Sequence, residues 1–275
     1  EGLSEGRQIP QLAPKQLRQL VPEVTTPPPG VETRLKVGFF SGCSQEFLYA
    51  ESGAHLVNFL ASQGCEVHFP RAQGCCGTPV VTSGDFELGR ELADQNVDAF
   101  RDFDIVISGC ASCSSMLKEY EHVLADNAGR RERYEAFKGK VRNVTELLFG
   151  DLEIDTSKLK VRPEYRGKKV TWHDPCHLVR YQQTREEPRR ILREAEGLEY
   201  VEMPGADKCC GMAGTLTIFY YDLSKKIGDV KANGIDASGA DVVVTECPGC
   251  IMQLRDTVVR NGLQQPVVHI LDLFE

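Results

Sequence analysis

Short apolar runs alternate along the chain with segments whose apolar residues recur every three or four positions, and the whole alternation occurs twice. The run "LKVGFF" (35–40) reads as a buried strand. Residues 46–62 then carry Phe47, Leu48, His55, Leu56, Phe59 and Leu60 at helical spacing. "EVHF" (66–69) is the next strand, Asp85 to Arg101 a helix, "DIVIS" (104–108) a third strand and "SMLKEYEHVLAD" (115–126) a helix. The second half repeats the order. It gives "KVTWH" (169–173), a helix over 187–196, "YVEM" (200–203), a helix over 219–237, "DVVVT" (241–245) and a helix over 251–261. Strands alternating with helices predict an α/β fold: mainly parallel sheets covered on both faces. Two tandem Rossmann-like repeats related by a pseudo-twofold are therefore expected.

The cysteines repeat in the same rhythm. The first set is Cys43, then 31 residues, then Cys75-Cys76-Gly77, then 32 residues, then Cys110-Ala-Ser-Cys113. The second is Cys176, then 32 residues, then Cys209-Cys210-Gly211, then 35 residues, then Cys247-Pro-Gly-Cys250. Flanking segments match as well: "RLKVGFFSGC" with "GKKVTWHDPC", "DIVISGCASC" with "DVVVTECPGC", and "RNVTELLFGD" with "VHILDLFE". The pattern is that of a tandem duplication. The first repeat spans 35–154 and the second 167–275, with a charged connector at 155–166. Residues 1–34 hold Pro10, Pro14, Pro22 and Pro27-Pro28-Pro29, and read as a linker or docking segment with one short helix at "PKQLRQLV". In each repeat the cysteine groups fall just past three strand ends, where open α/β sheets place ligands.

Composition narrows the chemistry. A formal charge of −8 argues against nucleic acid, whose binding needs a basic surface. No apolar run is long enough to span a bilayer, and no signal peptide is expected. A cytoplasmic location is expected, with any membrane association running through a partner. The first residue is Glu1, so a segment upstream is expected to be missing. Eleven cysteines, an odd number in a long chain without a secretory signal, fit a disulfide framework poorly. Metal or redox chemistry fits better.

Cys-x-x-Cys closes a tight turn that aims two sulfurs at one ion or cluster. In Cys247-Pro248-Gly249-Cys250, Pro248 presets the first turn residue and Gly249 is expected at positive φ. The N–H groups of the helix that follows would then point at sulfur, as helix N-termini do toward anions. Adjacent cysteines serve one tetrahedral ion poorly, because their side chains diverge. A polynuclear cluster can take one sulfur on each of two irons, and Gly77 and Gly211 let the backbone turn sharply beside it. Each repeat offers five cysteines where a cubane or a structural zinc uses about four. Structural zinc and a thioredoxin-like dithiol are the competing readings. Zinc explains neither Cys-Cys-Gly nor the fifth ligand, and the dithiol motif sits singly at a helix start.

Over residues 35–275 this constellation resembles the cysteine-rich CCG domain family, which includes the cysteine-rich subunit of heterodisulfide reductase and the iron–sulfur subunits of glycolate oxidase and lactate utilisation. "HDPCHL" (173–178) is similar to the glycolate and lactate branch. The resemblance implies two non-cubane [4Fe-4S] clusters. Cys43, Cys75, Cys76, Cys110 and Cys113 would hold one, and Cys176, Cys209, Cys210, Cys247 and Cys250 the other. It implies electron transfer from a flavoprotein 2-hydroxy-acid dehydrogenase to a quinone or other carrier, in company with a ferredoxin-like domain or a membrane subunit. The alternative it carries is a heterodisulfide-reductase-type subunit whose cluster itself reduces a disulfide or another small acceptor. If the repeats pack face to face, the two clusters would exchange electrons.

Smaller features have plainer readings. His173 and His177 flank Cys176 and are candidates to donate to cluster sulfur or relay protons; ordinary core or surface histidines are the competing reading. Cys65 reads as an inert core thiol, Asp174 as a turn former, and Lys208 as solvated. Phe219-Tyr220-Tyr221 reads as helix packing. No phosphate loop or Gly-x-Gly-x-x-Gly motif is present, so no nucleotide or flavin site is expected in this chain.

Overall fold

The computed structural model describes residues 6–214 and 216–275. Its internal contacts divide it into two units. One is Leu12–Ile154, the first unit; the other is Asp155–Glu275 with the segment ending at Gln11, the second unit.

The first unit holds five strands: β1 (Val24–Thr25), β2 (Leu35–Phe39), β3 (Cys65–His68), β4 (Ile105–Ser108) and β5 (Val141–Asn143), in the order β1-β3-β2-β4-β5. All pairs are parallel except β1 against β3. Helix Ala50–Ser62 crosses from β2 to β3, and helix Phe86–Ala99 lies between β3 and β4. Helices Ala111–Leu124 and Ala128–Lys138 precede β5. The apolar run of β2 becomes a central strand because both its faces are covered: Val37, Phe39 and Phe40 are all fully buried. Gly38 has no room for a side chain, since a Cβ there would lie 2.7 Å from the Phe100 ring.

The proline-rich start is part of this packing. Leu17 and Val21 are buried, and a Cβ on Gly53 would lie 2.9 Å from the Leu17 side chain. Arg71 donates to the carbonyls of Arg18 and Val21, and β1 extends the sheet.

The second unit holds β6 (Lys168–Trp172), β7 (Leu198–Tyr200), β8 (Val242–Thr245) and β9 (Val267–His269), in the order β7-β6-β8-β9, all parallel. Apart from β1, the two sheets have one topology. The second strand lies outside the first, and the third and fourth follow on the other side. Helices Glu186–Glu194, Tyr221–Ser238 and Pro248–Arg260 connect the strands. The core is built on Trp172, Ile191, Ile235, Leu254 and Phe274. The connector belongs here: Val161 pairs with Phe274, and Glu275 N donates to Lys160 O at 2.8 Å. Near the other end, Gln8 N donates to Asp256 at 2.8 Å and the Arg7 guanidinium lies 3.7 Å above the Tyr221 ring.

This strand order creates a switch point between the first and third strands of each sheet, β2 and β4, and β6 and β8. The chain leaves the sheet there in opposite directions, which opens a crevice beyond the carboxyl ends. Each cysteine set lies at that end of the strands. Among the described residues, no helix is long and apolar enough to cross a membrane.

Candidate metal centres

Cys43 follows β2, Cys75 and Cys76 follow β3, and Cys110 and Cys113 follow β4. Their thiols form a connected group. Cys43 engages Cys75, Cys75 engages Cys76, Cys76 engages Cys113, and Cys113 engages Cys110. The two neighbours of Cys-Cys thus reach in different directions, Cys75 toward the exposed Cys43 and Cys76 toward the buried Cys113. The ionisation of these thiols is mutually antagonistic. Hydrogen bonds from Cys113 and Cys75 draw Cys76 well below its ordinary value, and Cys110 and Cys76 drive Cys113 well above it. Five thiols so crowded cannot all carry charge without a cation among them.

The second unit repeats the arrangement. Cys210 engages Cys209 and Cys250, and Cys250 engages Cys247. Burial raises Cys176, with further contributions from the charges of Cys210 and Cys247. Cys209 and Cys250 then draw Cys210 well below its ordinary value, and His173 acts in the same direction. The donor set therefore fits a sulfur-ligated metal group in both units, with Cys176, Cys209, Cys210, Cys247 and Cys250 able to hold the second.

The turns behave largely as their sequences dictate. Gly77 has φ +91° and Gly211 φ +98°, a region that side chains rarely adopt. Each glycine turns its N–H onto the thiol two residues before it: Gly77 N lies 3.4 Å from Cys75 Sγ and Gly211 N 3.3 Å from Cys209 Sγ. Gly211 is doubly required, since a Cβ would lie 2.7 Å from the Ser224 carbonyl oxygen. In the Cys-x-x-Cys turns, Cys110 caps helix Ala111–Leu124 and its sulfur accepts from Cys113 N at 3.4 Å. Cys247 holds the same cap position on helix Pro248–Arg260. The expected positive φ at Gly249 is not observed. Pro248 and Gly249 are the first residues of that helix, and its regular first turn supplies the spacing.

Sequence reasoning missed the residues that hold the Cys-Cys-Gly loops. In the first unit, Asn96 accepts from Gly74 N and donates to Cys75 O, both at 2.9 Å, while Tyr120 OH donates to Cys76 O at 2.9 Å. Gln73 accepts from Ser41 N at 2.9 Å and donates to Phe39 O, tying the loop to β2. In the second unit, Lys231, only 1% exposed, donates to Gly205 O at 2.7 Å and Ala206 O at 3.1 Å. Ser224 Oγ donates to Gly211 O at 2.8 Å. Burial pushes the Lys231 ammonium down to about 8. Asn96 and Lys231 each follow their cysteine pair on the next long helix, where the fold turns them inward; no local sequence pattern marks either.

Asp174 does more than form a turn. It is buried, accepts from Trp172 Nε1 at 2.8 Å, and receives both terminal nitrogens of Arg189 at 2.9 and 2.7 Å. Arg189 also binds Glu202. Burial opposes the Arg189 charge, but the two carboxylates outweigh it and raise the guanidinium above its usual range. Asp174 N donates to Ala206 O, so this network braces the Cys209–Cys210 loop against β6. Arg189→Met leaves the Asp174 carboxylate buried without its partner. It is expected to lower stability by about 3–5 kcal/mol, read as the shift in a urea unfolding curve.

Other candidates separate cleanly. His177 sits beside Cys176, with Nδ1 4.0 Å from the sulfur, and packs against the Tyr181 ring at 5.4 Å. Cys65 is fully buried in β3, where burial pushes its thiol up to about 12. Of the aromatic run expected to pack, Tyr221 is half-buried under Arg7, but Phe219 and Tyr220 are 74% and 66% exposed and do not pack. Both lie where short helix Leu216–Phe219 meets helix Tyr221–Ser238, and the turn between them directs the rings outward.

Comparison with known proteins places this geometry. The model of the CCG family, described as a cysteine-rich domain, matches residues 37–118 and 170–255. The chain belongs to the CCG family. The two matched segments contain all ten paired cysteines, five in each. The chain is 36% identical over 242 residues to the probable glycolate oxidase iron-sulfur subunit of Bacillus subtilis, a match covering 86% of this chain and 54% of that protein. It thus spans about half the length of that relative. It is 32% identical to lactate utilization protein A of Geobacillus thermodenitrificans, over 87% of this chain and 98% of that protein. Among solved structures, a hypothetical protein from Helicobacter pylori aligns over 98% of this chain and 51% of its own, with TM-score 0.56 and 10% identity, a likeness of fold.

Proposed function

We propose that this CCG chain is an iron–sulfur electron-transfer subunit of a multi-subunit oxidoreductase, carrying electrons from a flavoprotein that oxidises a 2-hydroxy acid to a quinone or another carrier. The observation that supports it is the convergence of five thiols at the switch point of each sheet. Relatives named as an iron–sulfur subunit of glycolate oxidase and as a lactate utilization protein support the same reading. Bound there, an iron–sulfur cluster in each unit supplies one-electron chemistry. The adjacent cysteines and the fifth thiol favour a cluster larger or less regular than a cubane with about four cysteine ligands.

The chain's own residues divide the work. Cys76, Cys110, Cys113, Cys210, Cys247 and Cys250 are buried and exclude water from the inner side of each site. Cys43, Cys75, Cys176 and Cys209 are exposed or half-buried and form the side on which a partner can approach. Asn96, Tyr120, Lys231 and Ser224 fix the loops, so the sulfurs need little rearrangement when charge changes. On this reading the hydroxy acid is bound and oxidised by the flavoprotein, and this chain receives only the electrons.

The test is an anaerobic reduction assay. The iron-loaded chain is expected to lose visible absorbance with lactate or glycolate only when a flavoprotein 2-hydroxy-acid dehydrogenase is present. Bleaching by the hydroxy acid alone, or none with any such flavoprotein, contradicts the assignment.

A further inference from the structure

The two sulfur sites are not chemical copies. Phe40 N donates to Ile107 O at 2.8 Å, and His173 N donates to Val244 O at 2.9 Å. Phe40 and His173 therefore hold the same place, one residue past the first strand of each unit and three residues before Cys43 or Cys176. A benzene ring occupies it in the first unit and an imidazole in the second.

His173 is 1% exposed, and among the described residues neither ring nitrogen has a hydrogen-bond partner at ordinary distance. One of those nitrogens lies within 4.8 Å of Sγ of both Cys210 and Cys250. The backbone holds the residue there from both sides, since Thr245 Oγ1 donates to His173 O at 3.1 Å. Leaving a buried polar group unpaired is costly, and the Cys210 and Cys250 sulfurs are within reach of this ring. An imidazole N–H suits sulfur that bears negative charge, and hydrogen bonds to cluster sulfur are among the determinants of reduction potential. Phe40, fully buried, has no donor to offer.

We propose that His173 donates its ring N–H to sulfur of the second unit's cluster and raises that cluster's reduction potential. The proposal rests on the iron–sulfur reading given above. Its consequence is directional: an electron added to the chain is held more tightly in the second unit than it would be without this residue. The step is addition of one electron from an external donor to one cluster, with no bond made or broken at His173. Cys43 is more exposed than Cys176, and solvent access at the first site works against the difference between units. The decisive comparison is therefore between variants of the second unit.

The experiment is an EPR-monitored redox titration of the iron-loaded chain, with His173→Phe and His173→Gln beside the parent. Phe supplies the first unit's own residue, and Gln keeps an N–H. His173→Phe is expected to move one midpoint to lower potential by tenfold or more in the reduction equilibrium, about 59 mV for one electron, and to leave the other unmoved. His173→Gln is expected to recover most of that shift. Two unchanged midpoints in His173→Phe overturn the proposal, and so does loss of one cluster's iron in both variants, which would make His173 a ligand. Pulsed EPR on a His177→Phe chain labelled with 15N-histidine, which removes the other imidazole beside Cys176, decides the matter even if His173→Phe does not fold. A weak nitrogen coupling is expected; a ligand-strength coupling or none overturns the proposal. A parent chain without iron or sulfide removes the iron–sulfur reading itself, an outcome distinct from all of these.

Discussion

Cys210→Ser is expected to bind about four fewer irons than the parent chain, the content of one four-iron cluster, and to lose one of two cluster signals with the other intact. Cys210 is the hub of the second site. It is buried, touches Cys209 and Cys250, and has His173 beside it. Its neighbours already favour its thiolate, the form that binds metal. A serine hydroxyl is a far poorer ligand for iron than a thiolate. Cys76→Ser should produce the mirror result in the first unit, because Cys76 joins Cys75 to Cys113 in the same way. Cys65→Ser is the control. Its thiol lies in β3 and has no counterpart in the second set, so iron content should not change. Iron and acid-labile sulfide analysis with EPR reads all three. Unchanged iron in Cys210→Ser would contradict five-thiol ligation in that unit.

Gly211→Ala carries the second large effect, on stability and on the site together. At φ +98° an alanine is strained by about 1–3 kcal/mol. Its methyl would also lie 2.7 Å from the Ser224 carbonyl oxygen, and that oxygen belongs to helix Tyr221–Ser238, which cannot yield without moving Lys231 as well. The loop must shift, carrying Cys209 and Cys210 with it. A total loss of about 3–5 kcal/mol is expected, the upper range of single substitutions, with lowered iron occupancy in the second unit. Gly77→Ala tests the attribution. Its φ is +91°, but the nearest atom to an added methyl is 4.0 Å away, so it should cost the strain alone. Urea unfolding of both variants checks the difference; equal losses would remove the close approach as the cause.

How much of this was legible in the sequence follows from what each signal measures. Five of the six strands read from short apolar runs, β2, β3, β4, β6 and β8, lie inside their sheets, because burial on both faces writes an unbroken apolar run; the sixth, read at 200–203, is found at Leu198–Tyr200 on a sheet edge. β1, β5 and β9 escape such a reading because they are two or three residues long and lie at sheet edges. Helix Ala128–Lys138 is hidden by its charge, "AGRRERYEAFK", with only Tyr134 and Phe137 buried. The ten paired cysteines show in their double register, and the structure brings each five together. The loop clamps do not show. Asn96, Lys231 and Arg189 act through contacts made by the fold, and no local pattern marks them. Gly249 carries the residue type of a left-handed turn, which helix initiation at Pro248 makes unnecessary. His173 stands out by its nearness to Cys176 in sequence, but its relation to Phe40 rests on matched backbone hydrogen bonds.

The central claim is that each unit gathers five thiols around an iron–sulfur cluster. Its most direct test is anaerobic analysis of metal and acid-labile sulfide in the purified chain, with EPR on the same sample. The account predicts about eight irons and eight sulfides per chain, as two four-iron clusters require. About two zincs and no sulfide, the content of two closed thiolate sites, would contradict it and leave a duplicated structural scaffold.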